Sequence, residues 1–150
     1  MTDENRELLA LPLMMFSAAA TLVDAINAGV EARGFSGVRP AHGFTFVRIA
    51  AEGASIAEIG EYLGVTKQAA SQLVEELLRR GYVASAPHPR DARAKLITLT
   101  DRGRAVTRAA DEAAIEAGHA WAEVLGVERV KELIADLSRV AQAGKLKPLW

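Results

Sequence analysis

The side chains best suited to a recognisable chemistry are hydrogen-bonding groups at the start of one predicted helix. This helix begins after Thr66 and carries an apolar stripe at helical spacing: Ala70, Leu73, Val74 and Leu77. Its first two turns carry, off that stripe, polar side chains that can bond nucleobase edges or phosphates: Lys67, Gln68, Ser71 and Gln72. The acidic Glu75 and Glu76 come later along the helix. An ordinary solvated face has a similar composition, so this helix alone leaves both interpretations open.

A second set of basic side chains, Arg90, Arg93 and Lys95, falls in a predicted hairpin. Residues 82–86 and 95–99 have the pattern of short strands, and the segment between them contains two prolines and Asp91. A stiff loop of this kind loses little entropy when it docks. Asp91, two residues before Arg93, could orient the guanidinium by a charge-assisted hydrogen bond. A hairpin that merely carries surface charge is the alternative.

A short helix and a tight turn precede the polar helix and must position it. Ser55 and Glu58 form the pattern of a capping box, and Gly64 is suited to end the helix in the left-handed conformation. Thr66 can then cap the next helix. Two helices joined by so short a turn cross steeply, as in a helix-turn-helix, and a hairpin attached to them becomes a wing. The order suits a helix in a DNA major groove and a ribbon at the backbone or minor groove.

Further helices flank this unit on both sides. The spacing predicts a helix from Pro12 to about residue 32, with a stripe of Phe16, Ala20, Val23, Asn27 and Val30. A second begins at Pro40 and runs to about residue 51.

After the hairpin, Thr100 caps a helix that extends to about residue 125. A last helix runs from about residue 127 to before Gly144, with a buried set of Val130, Leu133, Ile134, Leu137 and Val140. The apolar faces of the terminal helices need a partner, which is either each other or a second subunit.

The bulk composition indicates a soluble domain with one basic segment. Half of the 150 residues are hydrophobic, and the net charge is −1. Residues 66–104 carry eight basic and four acidic side chains, a net charge of +4, which leaves −5 on the rest. There is no cysteine, which excludes disulfides and thiolate chemistry. The most apolar stretch, residues 8–23, is interrupted by Pro12, Ser17 and Thr21, so we expect no membrane partner and a cytoplasmic location.

No set of residues has the pattern of a catalytic or metal site. His42, His88 and His119 are scattered, and motifs for zinc proteases, serine hydrolases and phosphate loops are absent from the sequence. We therefore expect no enzyme activity, no metal and no cofactor. Phe16, His42 and Trp121 could line a ligand pocket, although a core or interface role is the simpler interpretation of each.

In ordered series, these segments resemble the MarR family of winged helix-turn-helix transcription regulators. The resemblance spans residues 38–104, and the whole chain in its helical layout. It begins with Val38-Arg39-Pro40-Ala41-His42 and continues with Glu58-Ile59-Gly60-Glu61-Tyr62-Leu63-Gly64-Val65. The segment from Leu73 through Arg79-Arg80-Gly81-Tyr82-Val83 follows. The wing signature appears as Asp91-Ala92-Arg93 and Leu99-Thr100-Asp101-Arg102-Gly103.

The resemblance implies a mainly α fold with a small β-hairpin wing. It implies a helical dimerisation region of residues 1–37 and 105–150 around a DNA-binding lobe of residues 38–104, all in one continuous unit. The homodimer would place two recognition helices on a pseudo-palindromic operator, with residues 66–72 at the bases. Arg93 would enter the minor groove and be steadied by Asp91. Such proteins usually repress, and a small aromatic or lipophilic ligand relieves repression.

Two departures from the family pattern limit what is carried over. Ala84, Ser85 and Ala86 stand where one or two arginines often follow the glycine-aromatic-valine, so backbone contact from the first wing strand is weakened. Arg39 replaces the usual threonine or serine cap of the second helix. The alternative function is a winged-helix protein that acts mainly through protein contacts, with weak and non-specific DNA binding.

Overall fold

The computed structural model describes residues 2–141, which form six helices and one antiparallel hairpin. The helices are α1 (Asp3–Ala32), α2 (Pro40–Ile49), α3 (Ile56–Leu63), α4 (Lys67–Arg79), α5 (Asp101–Leu125) and α6 (Val127–Val140). The strands β1 (Val83–Pro87) and β2 (Lys95–Leu99) lie between α4 and α5. The predicted fold class, mainly α with a β-hairpin wing, is confirmed. Residues 142–150 of the predicted dimerisation region, with Gly144, lie outside the described residues.

Helix α1 begins nine residues earlier than predicted. The Asn5 backbone N–H donates to Thr2 Oγ1 at 3.2 Å, and Asp3 and Glu4 occupy the first turn, where a negative charge is favourable. Pro12 therefore lies inside the helix and does not start it. Proline is favoured in a first helical turn, and this preference is the reason that the sequence predicts a start at Pro12. Helix α2 does begin at Pro40, as predicted, and ends two residues early at Ile49.

The core lies where α2, α3, α4 and the hairpin meet. Phe46 and Tyr82 pack edge to face there, with ring centroids 5.7 Å apart, and both side chains are almost completely buried. Ile59 and Leu77 close the core from α3 and α4. The hairpin pairs Val83 with Leu99, so β1 starts one residue later than predicted, while β2 has the predicted bounds.

The wing hairpin and α5 meet at a point of very close backbone approach. A Cβ atom added at Gly103 would lie 2.1 Å from the carbonyl oxygen of Tyr82 and 2.9 Å from Leu99 Cδ2. Thr100 caps α5 by accepting from the Gly103 N–H, and its hydroxyl donates to the Gly81 carbonyl at 2.6 Å. Only glycine fits at position 103, and this explains why the wing signature ends in that residue.

Helices α1 and α5, which are far apart in the sequence, pack along each other. Gly29 permits the approach, because a Cβ there would lie 2.6 Å from Ala113 Cβ. Arg33 donates to Glu112 at 3.0 Å and to Glu116 at 2.6 Å across the same contact.

Helix α6 does not bury the predicted residues within residues 2–141, so that prediction is wrong for the described part of the chain. None of its side chains is buried, and Ile134 and Val140 are exposed. The first half of helix α1 is exposed as well. Its large exposed side chains are Leu8, Leu9, Leu11, Leu13, Met14, Met15 and Phe16. The hydrophobic periodicity of α6 is present, but residues 2–141 do not bury it.

One helix, α1, is long and apolar enough to cross a membrane by length and composition. An 18-residue window within it has a mean hydropathy of 1.8, which corrects our view that the interruptions exclude such a span. None of that window is buried within the chain. Length and composition do not distinguish a bilayer-spanning helix from one whose apolar face packs on another protein surface.

Candidate nucleic-acid interface

The turn between α3 and α4 has the capped geometry that the sequence predicted. Ser55 Oγ accepts from the Glu58 N–H at 3.2 Å, and the Glu58 carboxylate accepts from the Ser55 N–H at 2.7 Å. Gly64 ends α3 in the left-handed conformation, with φ of 65°. Thr66 Oγ1 then accepts from the Ala69 N–H at 3.1 Å, so α4 starts at once and in a new direction.

The start of α4 presents the predicted polar side chains to solvent. Thr66, Lys67, Gln68 and Gln72 are exposed, and Ser71 is half-buried. The opposite face is in the core through Ala70, Val74 and Leu77, while the predicted Leu73 is only half-buried. The first turn also carries free backbone N–H groups and the positive end of the helix dipole, which attract phosphate. This end of α4 can therefore bond both base edges and backbone phosphates.

The tip of the hairpin carries the predicted basic residues, and all three, Arg90, Arg93 and Lys95, are exposed. Asp91 does not hold the guanidinium of Arg93 as expected. Its Oδ1 accepts from the backbone N–H of Arg93 at 2.9 Å. Aspartate commonly bonds the main chain two residues on, and this local bond fixes the turn itself. The Arg93 side chain thus extends from a rigid turn without a carboxylate partner within 4 Å in residues 2–141.

The wing is attached to the helix-turn-helix by backbone bonds. Ala54, just before α3, exchanges two hydrogen bonds with Ile97 of β2, at 3.1 and 2.9 Å. A Cβ on Gly53 would meet the Ile97 carbonyl oxygen at 2.7 Å. Because α3 is tied both to the wing and to α4, the two exposed basic features are held on one rigid frame.

Around Glu76 of α4, about one helical turn after Gln72, lies a cluster of four charged or titratable residues: Arg39, His42, Glu76 and Arg80. Arg39 Nη2 donates to Glu76 Oε2 at 2.6 Å, and His42 Nε2 lies 3.4 Å from the same oxygen. Arg80 Nη1 lies 3.7 Å from Glu76 Oε1. Three groups from two helices thus converge on one carboxylate of the predicted recognition helix.

The environment shifts the pKa values of two members of this cluster. Burial is the main reason that the pKa of His42 falls below its usual 6.5; the neighbouring Glu76 opposes that fall and Arg39 adds to it. Burial acts to raise the pKa of Glu76, but His42 and Arg39, by charge and hydrogen bonding, together outweigh it and lower the pKa. The cluster therefore holds an ionised carboxylate against a neutral, buried imidazole at neutral pH.

An open cavity of about 200 Å³ lies between α1, α2 and α5. Its wall is mostly apolar, with Val23, Ile26, Val30 and Phe44 among its lining residues, and Asn27, Arg39 and Asp111 add polar groups. The three residues predicted for a pocket do not line it. Phe16 is exposed on α1, His42 is completely buried on the inner face of α2, and Trp121 is half-buried on α5.

Little in the sequence indicates which residues surround the cavity and form the charged cluster. Arg39 and Glu76 are 37 positions apart, and no local pattern links them. Val23 and Val30 were correctly placed on one face of α1, but which element would cover that face was not readable from periodicity.

A capped helix-turn-helix followed by a hairpin fastened to it defines the winged helix-turn-helix class. Residues 36–94 match the model of the MarR family. The chain is also 37% identical over 76 residues to the transcriptional activatory protein BadR of Rhodopseudomonas palustris. That match covers 51% of this chain and 42% of BadR, so the chain spans less than half the length of this curated relative. The comparison thus shows similarity to the MarR family over residues 36–94.

Solved structures show the same fold over nearly the whole chain. A mutant of MarR from E. coli complexed with operator DNA has a TM-score of 0.74 and 20% identity, covering 94% of this chain and all of the other. The apo form of wild-type MarR from E. coli has a TM-score of 0.72 and 19% identity, covering 88% and 97%. A MarR transcriptional regulator from Methanosarcina mazei Go1 has a TM-score of 0.72 and 18% identity, covering 87% and 92%.

Proposed function

We propose that this protein is a sequence-specific, DNA-binding transcriptional regulator that acts as a homodimer. The observation that supports it best is the exposed start of α4. Lys67, Gln68 and Gln72 are exposed at the N-terminal end of α4. Thr66 caps this helix, and its opposite face packs in the core. This end carries hydrogen-bonding groups of the kind that read a major groove. One neighbour in fold, a MarR mutant, is complexed with operator DNA.

The residues divide by the part of DNA that each would contact. Gln68 and Gln72 bond base edges, and Ser71 assists them from its half-buried position. Thr66, Lys67, Arg90 and Lys95 contact the sugar-phosphate backbone and set the register. Arg93 enters the adjacent minor groove from the wing tip, and Asp91 fixes the turn from which it extends.

The dimer is formed by residues 1–37 and 105–150, around the DNA-binding lobe of residues 38–104. The apolar faces of α1 and α6 that are bare in one chain support this assignment, because monomers rarely expose so large a patch. Two-fold symmetry then places two recognition helices on a pseudo-palindromic operator. Two copies are also needed because a segment with a net charge of +4 attracts DNA only weakly by itself.

The same architecture supports repression that a small ligand relieves. A dimer seated over a promoter blocks polymerase, whereas one bound upstream can recruit it. The relative BadR is named a transcriptional activatory protein, so activation is the other direction that this architecture supports. The cavity between α1, α2 and α5 suits a small aromatic or lipophilic effector, because apolar side chains surround a few polar groups.

Selection of bound sequences from random duplex DNA tests the operator proposal directly. We expect a pseudo-palindrome whose half-sites are about one helical turn apart, bound at least 10³-fold more tightly than random DNA at physiological salt.

The variant Arg93→Ala should weaken binding to that operator while leaving the mass of the dimer unchanged. Arg108→Ala is the matched control, because it removes the same charge from an exposed position on α5. Equal effects of the two variants would contradict the assigned role of Arg93.

The uncharged first wing strand favours one alternative, a winged-helix protein that acts mainly through protein contacts. Ala84, Ser85 and Ala86 are exposed and offer no cation to the phosphates. Equal affinity of the wild-type protein for selected and random DNA would support this alternative and exclude the operator proposal.

A further inference from the structure

The charged cluster around Glu76 arises from an unusual start to α2. Arg39 occupies the N-cap position, where a side-chain oxygen normally accepts a backbone N–H. A guanidinium has only donors, so it cannot serve. His42 supplies the other half of the cap, because its Nδ1 accepts from the Arg39 N–H at 3.0 Å. The Arg39 side chain is thereby left to reach across to Glu76 on α4.

The second carboxylate oxygen of Glu76 forms an ion pair with Arg80. The guanidinium of Arg80 donates to the carbonyls of Gly37, at 2.7 Å, and Ser36, both in the loop between α1 and α2. It also lies 5.1 Å from the centre of the Tyr82 ring. Glu76 therefore faces Arg39 and His42 of α2 and Arg80 of its own helix, and Arg80 ties that helix to the loop.

These contacts differ in kind from the apolar contacts of α4. Val74 and Leu77 hold the helix against the core by burial, which is not directional. A charge-assisted hydrogen bond of 2.6 Å is directional and resists rotation of the helix about its axis. On a helix of about 5–6 Å radius, a rotation of about 10° moves a side-chain tip by about 1 Å. That distance is enough to break a base contact, because hydrogen bonds weaken beyond about 3.2 Å.

We propose that Glu76 is a positioning residue for DNA reading. Through Arg39, it holds the recognition helix at the rotation that brings Gln68 and Gln72 to the bases, and it does not itself contact DNA. The inference rests on the proposed DNA-binding function. Arg39 also lines the cavity between α1, α2 and α5, so the same residue adjoins both the proposed effector site and the recognition helix.

Electrostatics alone predicts the opposite effect of removing this carboxylate. DNA repels a nearby negative charge, so losing one should tighten binding slightly. Glu75 is the matched control, because it precedes Glu76 on the same helix, is exposed, and forms no ion pair within residues 2–141. The positioning role predicts that only Glu76→Ala weakens binding.

The experiment compares wild type, Glu75→Ala and Glu76→Ala in binding to the selected operator at several salt concentrations. Each is measured at a temperature where circular dichroism shows that it is folded. We expect Glu75→Ala to bind as tightly as wild type or slightly more tightly. We expect Glu76→Ala to reduce the affinity for the operator about threefold for each recognition helix, on the order of tenfold for the dimer. The dependence of the affinity on salt concentration should be unchanged.

Arg39→Met provides a second variant, since the Arg39 side chain is 59% exposed and its replacement should fold even if Glu76→Ala does not. Arg39→Met should weaken binding. The double variant, Arg39→Met with Glu76→Ala, should bind no more weakly than the weaker single variant, because both substitutions break the same contact between Arg39 and Glu76.

Glu76→Ala binding as tightly as Glu75→Ala would overturn the inference while leaving the proposed function standing. The inference would also be overturned if the losses of binding free energy in the two single variants added fully in the double variant. A wild-type protein that does not prefer its selected operator would remove the proposed function and the inference together.

Discussion

Acidification should destabilise the folded protein through one residue, His42. Its Nδ1 accepts from the backbone N–H of Arg39, so the ring is neutral and carries its proton on Nε2, 3.4 Å from the Glu76 carboxylate. A protonated ring could no longer accept at Nδ1, and its charge would be buried. Burial is also the main cause that lowers the pKa of His42 in the folded protein.

The sign of the effect follows from that direction. Because the pKa of His42 is lower in the folded protein than its ordinary 6.5, the unfolded chain takes up the proton first as the pH falls. The contribution of neutral His42 to stability is therefore complete above about pH 6.5. It decreases as the pH falls from there towards the folded pKa. The loss for one proton is at most about 1.4 kcal/mol per pH unit.

Carboxylates respond in a different window. The pKa values of Glu58 and Glu76 are lowered from 4.5, so their contributions to stability are present above that value and lost below it. Measurements between pH 7.5 and pH 5 therefore isolate the histidine from these acidic groups.

Urea unfolding of wild type and His42→Gln across this range provides the assay. Glutamine at the third helical position can still accept from the cap N–H, but it does not titrate. Both proteins must be compared at one fixed concentration, because assembly adds to apparent stability. We expect the free energy of unfolding of wild type to fall more steeply with acidification than that of the variant. Parallel curves from pH 7.5 to pH 5 would refute the reasoning.

Two further predictions concern packing and assembly. Gly103→Ala should cost at least about 3 kcal/mol of unfolding free energy, since its Cβ would lie 2.1 Å from a backbone oxygen. Gly118→Ala on the same helix, where a Cβ meets nothing within 4 Å, should be neutral or stabilising by up to about 1 kcal/mol; equal losses in thermal or urea unfolding would contradict this explanation. Leu13→Glu should shift the protein from dimer to monomer in light scattering, because Leu13 is 65% exposed on the bare face of α1. Ala57→Glu, exposed on α3, controls for the added charge, and an unchanged dimer mass in Leu13→Glu would argue against the proposed interface.

The features that the sequence predicted well depend on neighbours close in the chain. Ser55 and Glu58 are three residues apart, and their reciprocal bonds form as the capping-box pattern predicts. Gly64 and Thr66 likewise determine the turn between α3 and α4 by their own backbone and side-chain preferences. The polar start of α4 followed directly from these local signals.

The features that the sequence predicted poorly depend on distant or missing neighbours. The predicted start of α1 at Pro12 is wrong, because the cap at Thr2 and the acidic residues of the first turn stabilise a start at Asp3 despite the internal proline. The sequence predicts a bond from Asp91 to the Arg93 guanidinium, but Asp91 accepts from the Arg93 backbone N–H, as aspartate commonly does two residues on. The pairing of Arg39 with Glu76 exists only after α2 and α4 have packed, so no local pattern could reveal it.

The bare apolar face of α1 has a consequence for how the cell must handle a newly made chain. Seven large apolar side chains between residues 8 and 16 are exposed until something covers them. In the proposed dimer a second copy covers them, so a lone subunit is a target for chaperones and proteases and its lifetime depends on how fast it meets that copy. We then expect the amount of dimer to fall faster than the rate of synthesis at low expression. Under the proposed function, a small change in gene dosage would change the occupancy of the operator by a larger factor than it changes the amount of protein made.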